Sequence, residues 1–199
     1  MRLRTALGLA AALVVAACTP PEIREPVTVT SAKPPLVFDL AEAVITDASE
    51  LPQTATFRDR QWSERLREAT EAFLIERLET GSGQGWLQVT IEDAHIIEQD
   101  LPAQTGIAAA FRREPDRVLD ALLRVRIAVM GADGLEQVFT ETEVSRRRPI
   151  LRNTSVMARD AEAQRLIGDF LGQFDDALTQ NVRQNLGAWL VYGMEGDSR

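Results

Sequence analysis

The chain has 199 residues and a formal net charge of −8. A nucleic-acid-binding protein normally presents a basic surface, so this charge argues against that class. It argues equally against broad electrostatic binding to anionic lipid. The chain has one cysteine, Cys18, so it can form no internal disulfide, and the domain must be stabilised by packing.

The chain begins with a short segment that is first positively charged, then apolar, and ends in small residues. Arg2 and Arg4 precede residues 6–17, which carry no charge. This run is shorter than the roughly 20 residues of a membrane-spanning helix. Its pattern is typical of a secretory signal peptide. Removing residues 1–17 leaves 182 residues, enough for one domain with a sizeable core.

The end of this segment, Val15-Ala16-Ala17-Cys18, resembles the lipobox of bacterial lipoproteins. The resemblance implies cleavage before Cys18 and acylation of its thiol and its new amino group, palmitate being a typical acyl chain. Two or more acyl chains anchor a protein stably. Thr19 stands where lipoproteins retained on the inner membrane commonly have aspartate, which favours the periplasmic face of the outer membrane. The alternative is an ordinary signal peptide with an incidental cysteine.

Residues 18–35 are predicted to be a lipidated cysteine and a proline-rich tether. Residues 19–35 contain five prolines and no sustained apolar period, which is typical of a semi-extended spacer. Such a spacer could span up to ~50 Å. Residues 36–192 are predicted to form a single domain, and residues 193–199 a flexible tail.

The first half of the domain is predicted to contain a strand, a helix and a second strand. The strand, at about residues 36–45, has imperfect alternation, so a bulge or a short second piece is possible. The helix follows from an apolar face, with Asp59 or Ser63 as its N-cap and the glycines of residues 81–85 at its end. That face comprises Trp62, Leu66, Ala69 and Phe73. Residues 86–97 alternate as a strand with one buried face.

Residues 118–147 are predicted to form a long hairpin. Asp133-Gly134 is a dipeptide preferred in two-residue hairpin turns, in which both residues take positive φ. This turn fixes a register in which three pairs of opposite charge line one face. The pairs are Arg126 with Glu141, Arg124 with Glu143, and Asp120 with Arg147.

A long final helix at about residues 156–187 follows the capping residues 153–155, since apolar residues recur there every four positions. The predicted order is therefore βαβββα. We expect an α+β, two-layer sandwich, in which two helices lie on one face of a sheet of about four strands.

Few residues in this chain suggest catalysis. The single histidine, His95, has four acidic neighbours, which could be metal ligands or a solvated strand end; we favour the second interpretation. They are Glu92, Asp93, Glu98 and Asp100. A Gly-x-Ser-x-Gly nucleophile motif is absent from the sequence. We therefore predict no enzyme activity, no metal and no cofactor.

Two segments are candidates for partner contacts. The first is a basic cluster in an acidic chain, which could contact an anionic group or a partner, or be paired and solvated. Its residues are Arg146, Arg147, Arg148 and Arg152. The second is the long connection at residues 99–117, either a lid or interface, or a cap on the core. Its candidate residues are Ile107, Phe111, Arg112 and Arg113.

The lipobox, the tether and the hairpin LLRVRIAVMGADGLEQVF at residues 122–139 resemble the envelope lipoproteins that accompany ABC-type lipid transporters. Lipopolysaccharide-assembly lipoproteins and the activators of peptidoglycan synthases share the same outline. The resemblance implies a non-enzymatic auxiliary or assembly role with another envelope protein as partner. The alternative is a periplasmic carrier that binds an apolar or lipid ligand between sheet and helices.

Overall fold

The computed structural model describes residues 31–102 and 115–191. Cys18, Ile107, Phe111, Arg112 and Arg113 lie outside these ranges, as does the predicted tail. The described part is an α+β fold, as predicted. Its strands are β1 (Leu36–Phe38), β2 (Glu42–Asp47), β3 (Leu78–Thr80), β4 (Trp86–Asp100), β5 (Pro115–Met130) and β6 (Glu136–Leu151). Its helices are α1 (Phe57–Arg77) and α2 (Val156–Asn185), and a short 3-10 helix follows at Gly187–Trp189.

The main sheet has four strands in the order β2-β4-β5-β6, in which β2 runs parallel to β4 and the other pairs are antiparallel. A separate two-stranded parallel sheet joins β1 to β3. The predicted first strand is thus two short strands in different sheets. Strand β3 was not predicted, because three residues directly after a helix carry too little periodicity to be recognised.

Helix α1 begins at Phe57, two residues before Asp59, the first of the two predicted N-caps. Thr56 is the N-cap, and its hydroxyl accepts a hydrogen bond from the backbone N–H of Asp59, whose carboxylate accepts from the backbone N–H of Thr56 in return. This is a capping box. Asp59 and Ser63, the predicted caps, instead bond to β4, accepting from the backbone N–H groups of Glu98 and Ile96 at 3.0 Å each. They fix α1 on the sheet.

Both helices pack on the face of the sheet whose side chains form the core. The predicted apolar face of α1 is buried there, as are the apolar residues that recur every four positions in α2. The helices run parallel to each other: Trp62 Nε1 donates to Asp160 at 3.0 Å, and Arg77 Nε donates to Asp175 at 2.8 Å. Each helix therefore has its N-terminus at the same end of the domain.

The predicted hairpin register is confirmed, with Arg126 opposite Glu141, Arg124 opposite Glu143, and Asp120 opposite Arg147. The predicted turn is wrong. Of the two predicted turn residues, Gly134 has a positive φ, of +79°, and Asp133 does not; the N–H of Gly134 donates to the carbonyl of Gly131. The central turn residues are therefore Ala132 and Asp133, and Gly134 forms the following bulge. A second irregularity, between Val129 and Met130, restores the predicted register.

Candidate functional site

An open groove lies where the two helices begin, beside the end of β4 and the start of β5. Its volume is about 740 Å³. The chain that connects β4 with β5 leaves and rejoins the sheet at this end. The groove is lined by Thr56, Phe57, Arg58, Gln61, Arg65, Glu98, Arg117, Val156 and Asp160.

Glu98 is the central acidic group of the groove. Its side chain is 11% exposed, and Oε1 accepts hydrogen bonds at 3.0 Å from both Arg117 and Arg159, while Arg58 lies 3.9 Å from Oε2. The hydrogen bond to Glu98 and the charge of this carboxylate raise the pKa of Arg117 above its ordinary value. Three elements, α1, α2 and β5, thus supply cations to one carboxylate of β4.

Large apolar side chains are exposed beside the groove. Phe57 and Met157, in the first turns of α1 and α2, are 77% and 82% exposed. Val156 and Leu151 are about half exposed, Val156 in the lining and Leu151 at the end of β6. An apolar surface with polar neighbours is typical of an interaction site.

Arg58 and Arg65 differ from the other arginines of the groove. The guanidinium of Arg58 lies over the ring of Trp62 at 5.7 Å, and its closest carboxylate contacts, to Glu98 and Asp160, are 3.9 Å long. Within residues 31–102 and 115–191, neither Arg58 nor Arg65 donates a side-chain hydrogen bond. Both therefore present guanidinium donors to whatever enters the groove.

The predicted basic cluster is divided between two faces of β6. Arg147 points to the open face and pairs with Asp120 at 3.3 Å. Arg148 points towards α2, where it bonds Glu162 at 3.3 Å and Asp169 at 3.1 Å. Arg146 shares the α2 side of the strand. Arg152, beyond the strand, lies 3.8 Å from Asp116 at the groove end of the domain.

His95 and Asp93 share the open face of β4, and His95 Nδ1 lies 2.6 Å from Asp93 Oδ1. Glu98 faces the helices and is not part of this pair. In the part of the chain that the structure describes, no three His, Cys, Asp or Glu side chains are grouped as metal ligands.

The space between sheet and helices, where a carrier would hold its ligand, is filled by side chains. Leu66, Phe73, Phe170 and Phe174 are each 0–1% exposed, and the rings of Phe73 and Phe174 pack edge to face, with centroids 6.0 Å apart. The groove is therefore at the end of the sandwich, not between its layers.

A buried polar cluster, which we call the tether cluster, was missed from the sequence. Asp175 Oδ1 accepts from Arg77 Nε, and its Oδ2 accepts from Ser31 at 2.7 Å. Arg77 also donates to the carbonyl of Pro34 and, at 2.9 Å, to the hydroxyl of Thr179. Part of the predicted tether is therefore bound to the domain. The available signal was an acidic residue inside the apolar stripe of α2.

Asp175 remains ionised despite its burial. Burial alone would raise the pKa of this carboxyl group, but the hydrogen bonds from Arg77 and Ser31 and the charges of Arg77 and Lys33 outweigh it, so the pKa is lowered below its ordinary value. The tether cluster is therefore a buried ion pair in which both carboxylate oxygens of Asp175 accept hydrogen bonds.

None of the helices within the described ranges has the length and apolar character needed to span a membrane. No family model matches the chain, and no curated protein matches it. Several solved structures are similar to it.

Three of these structures come from different bacteria. Rare lipoprotein B from Shewanella oneidensis is 12% identical, with 72% of this chain and 95% of that chain covered and a TM-score of 0.37. A minor lipoprotein from Acinetobacter baumannii is 8% identical, with 74% and 96% covered and a TM-score of 0.35. A putative neuraminyllactose-binding hemagglutinin homolog from Helicobacter pylori is 9% identical, with 75% and 91% covered and a TM-score of 0.40. Bacterial lipoproteins are thus among the solved structures to which this chain is similar.

Proposed function

We propose that this protein is a lipid-anchored component of the bacterial envelope, on the periplasmic face of the outer membrane, and that it binds another envelope component through the groove without catalysis. The observation that carries the proposal is the exposure of Phe57 and Val156 in the lining of the groove, beside Arg58 and Arg65. Such a surface is costly to leave in water unless a partner covers it.

The anchor is supported by the sequence before the described residues. A signal-type segment ends at Cys18, and a proline-rich spacer follows. The acidic chain has little general affinity for anionic lipid, so acyl chains on Cys18 would supply the membrane attachment.

The position of the tether cluster supports a partner at the groove. Ser31 bonds Asp175, whereas the groove lies beside Asp160, fifteen residues earlier in α2. At 1.5 Å per residue this separates the two places by about 22 Å. The first described residue of the tether, Ser31, is therefore bound to the domain away from the groove.

A non-catalytic role is supported by the groove's own chemistry. Glu98, its central carboxylate, is occupied by Arg117 and Arg159, which suits a structural ion cluster better than a proton-transferring group. Arg152, which lies 3.8 Å from Asp116 at the groove end of the domain, extends the proposed contact surface. The finer proposal, an auxiliary or assembly role in a lipid-transport complex, draws on the resemblance of residues 122–139.

Site-specific photocrosslinking in intact cells tests this function. A photoreactive phenylalanine analogue at Phe57 should form a discrete adduct with one envelope component. The same analogue at Gln173, an exposed position in α2 outside the groove, is the matched control and should form none. The proposal is wrong if the two positions give the same products, or if Phe57 gives no adduct.

A further inference from the structure

We infer that the groove binds a protein segment in which an acidic side chain is adjacent to an apolar one. This inference rests on the proposed function, because it specifies the partner of the same groove. It follows from three features of the groove: its carboxylates already accept hydrogen bonds, two of its arginines donate none within the described ranges, and apolar side chains lie beside those arginines.

The two carboxylates of the groove, Glu98 and Asp160, already accept hydrogen bonds from groups of the protein itself. Glu98 accepts from Arg117 and Arg159, and Asp160 accepts from Trp62 Nε1. A cationic ligand would have to compete with these hydrogen bonds. The acceptor set therefore disfavours a basic partner.

The donors of the groove are in excess. Arg58 and Arg65 both line it, and within the described ranges neither side chain donates a hydrogen bond. A guanidinium has five N–H donors in a planar fork that fits a carboxylate in a bidentate way. In the same site, Glu98 Oε1 already accepts one hydrogen bond from Arg117 and one from Arg159, at 3.0 Å each. A second carboxylate, supplied by a partner, would satisfy Arg58 and Arg65.

The apolar neighbours require an apolar group close to that carboxylate. Phe57 lines the groove and is 77% exposed, and Val156 faces it from the start of α2. A volume of about 740 Å³ is within the usual range of ligand sites and accepts several side chains. An acidic residue next to a leucine or phenylalanine meets both requirements.

The location of the groove favours a protein segment over a membrane lipid. The tether enters the domain at Asp175, about 22 Å along α2 from the groove. An anionic lipid has the same two features, a negative headgroup and an apolar chain, so it is the competing outcome of the test.

The test uses the full lipidated chain in intact cells, with the photoreactive analogue at Phe57 and mass spectrometry of the adduct. We expect a partner peptide that contains Asp or Glu beside an apolar residue. Combining the analogue with Arg58→Glu and Arg65→Glu should reduce the adduct yield about tenfold or more, since charge-assisted hydrogen bonds are lost and repulsion replaces them. Arg183→Glu, an exposed change near the end of α2, should leave the yield unchanged. A second variant, which combines Arg58→Gln with Arg65→Gln, should also lower the adduct yield. Thermal melting verifies that this variant is folded.

The outcomes separate this inference from the proposed function. An adduct with a phospholipid, or with a peptide that lacks acidic residues, overturns the inference and leaves the groove as a contact site. An adduct whose yield does not respond to Arg58→Glu and Arg65→Glu also overturns it. The absence of any adduct at Phe57 overturns both.

Discussion

Arg77 Nε donates a hydrogen bond to Asp175 Oδ1 across 2.8 Å, and both side chains are buried between α1 and α2. The pair joins the two helices at the end away from the groove. The second carboxylate oxygen of Asp175 accepts from Ser31 of the tether, and Arg77 also donates to the carbonyl of Pro34. One ion pair thus connects helix packing with the place where the chain from the anchor enters the domain.

Removing one partner of this pair should be strongly destabilising. Asp175→Ala leaves the buried guanidinium of Arg77 without its counter-ion, and such changes cost about 3–5 kcal/mol. Urea unfolding of the wild type and the variant measures the difference in the free energy of unfolding. Asp176→Ala, at the neighbouring exposed position, is the control and should change it by less than about 0.5 kcal/mol. Equal effects of the two changes would contradict the role given to Asp175.

The same carboxylate makes stability depend on pH at the acidic end. The folded state lowers the pKa of Asp175 below its ordinary value of 3.8. A lowered folded-state pKa contributes stability that is complete above the unfolded-state pKa and is lost as the pH falls through the folded-state pKa. We expect the wild type to lose stability below about pH 4, and Asp175→Asn to show a smaller loss over that window. Denaturant unfolding from pH 6 to pH 2.5 measures both slopes, and identical slopes would exclude Asp175 as a contributor.

The hairpin was predictable because strand pairing is a local problem with redundant signals. The alternating charges of residues 118–147 support the register that the structure confirms, although the two-residue turn from which the same register was predicted is wrong. The ion pairs themselves are less regular. Arg126 bonds Glu136 at 2.8 Å instead of its direct neighbour Glu141. Its guanidinium lies over the ring of Phe139, a diagonal neighbour, at 4.3 Å.

The groove was not predictable because its parts come from four separate elements. Phe57, Glu98, Arg117 and Val156 have no common spacing in the sequence, and only the parallel arrangement of α1 and α2 brings them together. The tether cluster was hidden for the same reason. Ser31 and Asp175 are 144 positions apart, and Arg77 alone is indistinguishable from the exposed arginines of an amphipathic helix.

The contact between tether and domain should contribute measurable stability. Ser31→Ala removes the hydroxyl that donates to Asp175 Oδ2 at 2.7 Å, and leaving part of a buried, charged acceptor unsatisfied costs about 1–3 kcal/mol. Thermal or urea unfolding of the full chain measures this loss. Ser49→Ala removes a similar hydrogen bond, to Asp47, at an exposed site and should cost less than about 0.5 kcal/mol. A Ser31→Ala variant as stable as the wild type would show that the tether is not bound to the tether cluster in solution.

Two glycines offer opposite tests of the backbone. Gly172 lies in α2, and no other part of the chain that the structure describes comes within 4 Å of the place where its Cβ would be. Gly172→Ala should therefore stabilise the protein by about 1 kcal/mol through helix propensity. Gly85 has a φ of +81°, and a Cβ there would lie 2.1 Å from the carbonyl oxygen of Met130. Gly85→Ala should therefore destabilise the protein, since both strain and a backbone clash oppose it. The urea concentration at the unfolding midpoint should rise for Gly172→Ala and fall for Gly85→Ala, while the dependence of the unfolding free energy on urea stays the same. A fall for Gly172→Ala would mean that a partner or another part of the chain packs against that side of α2.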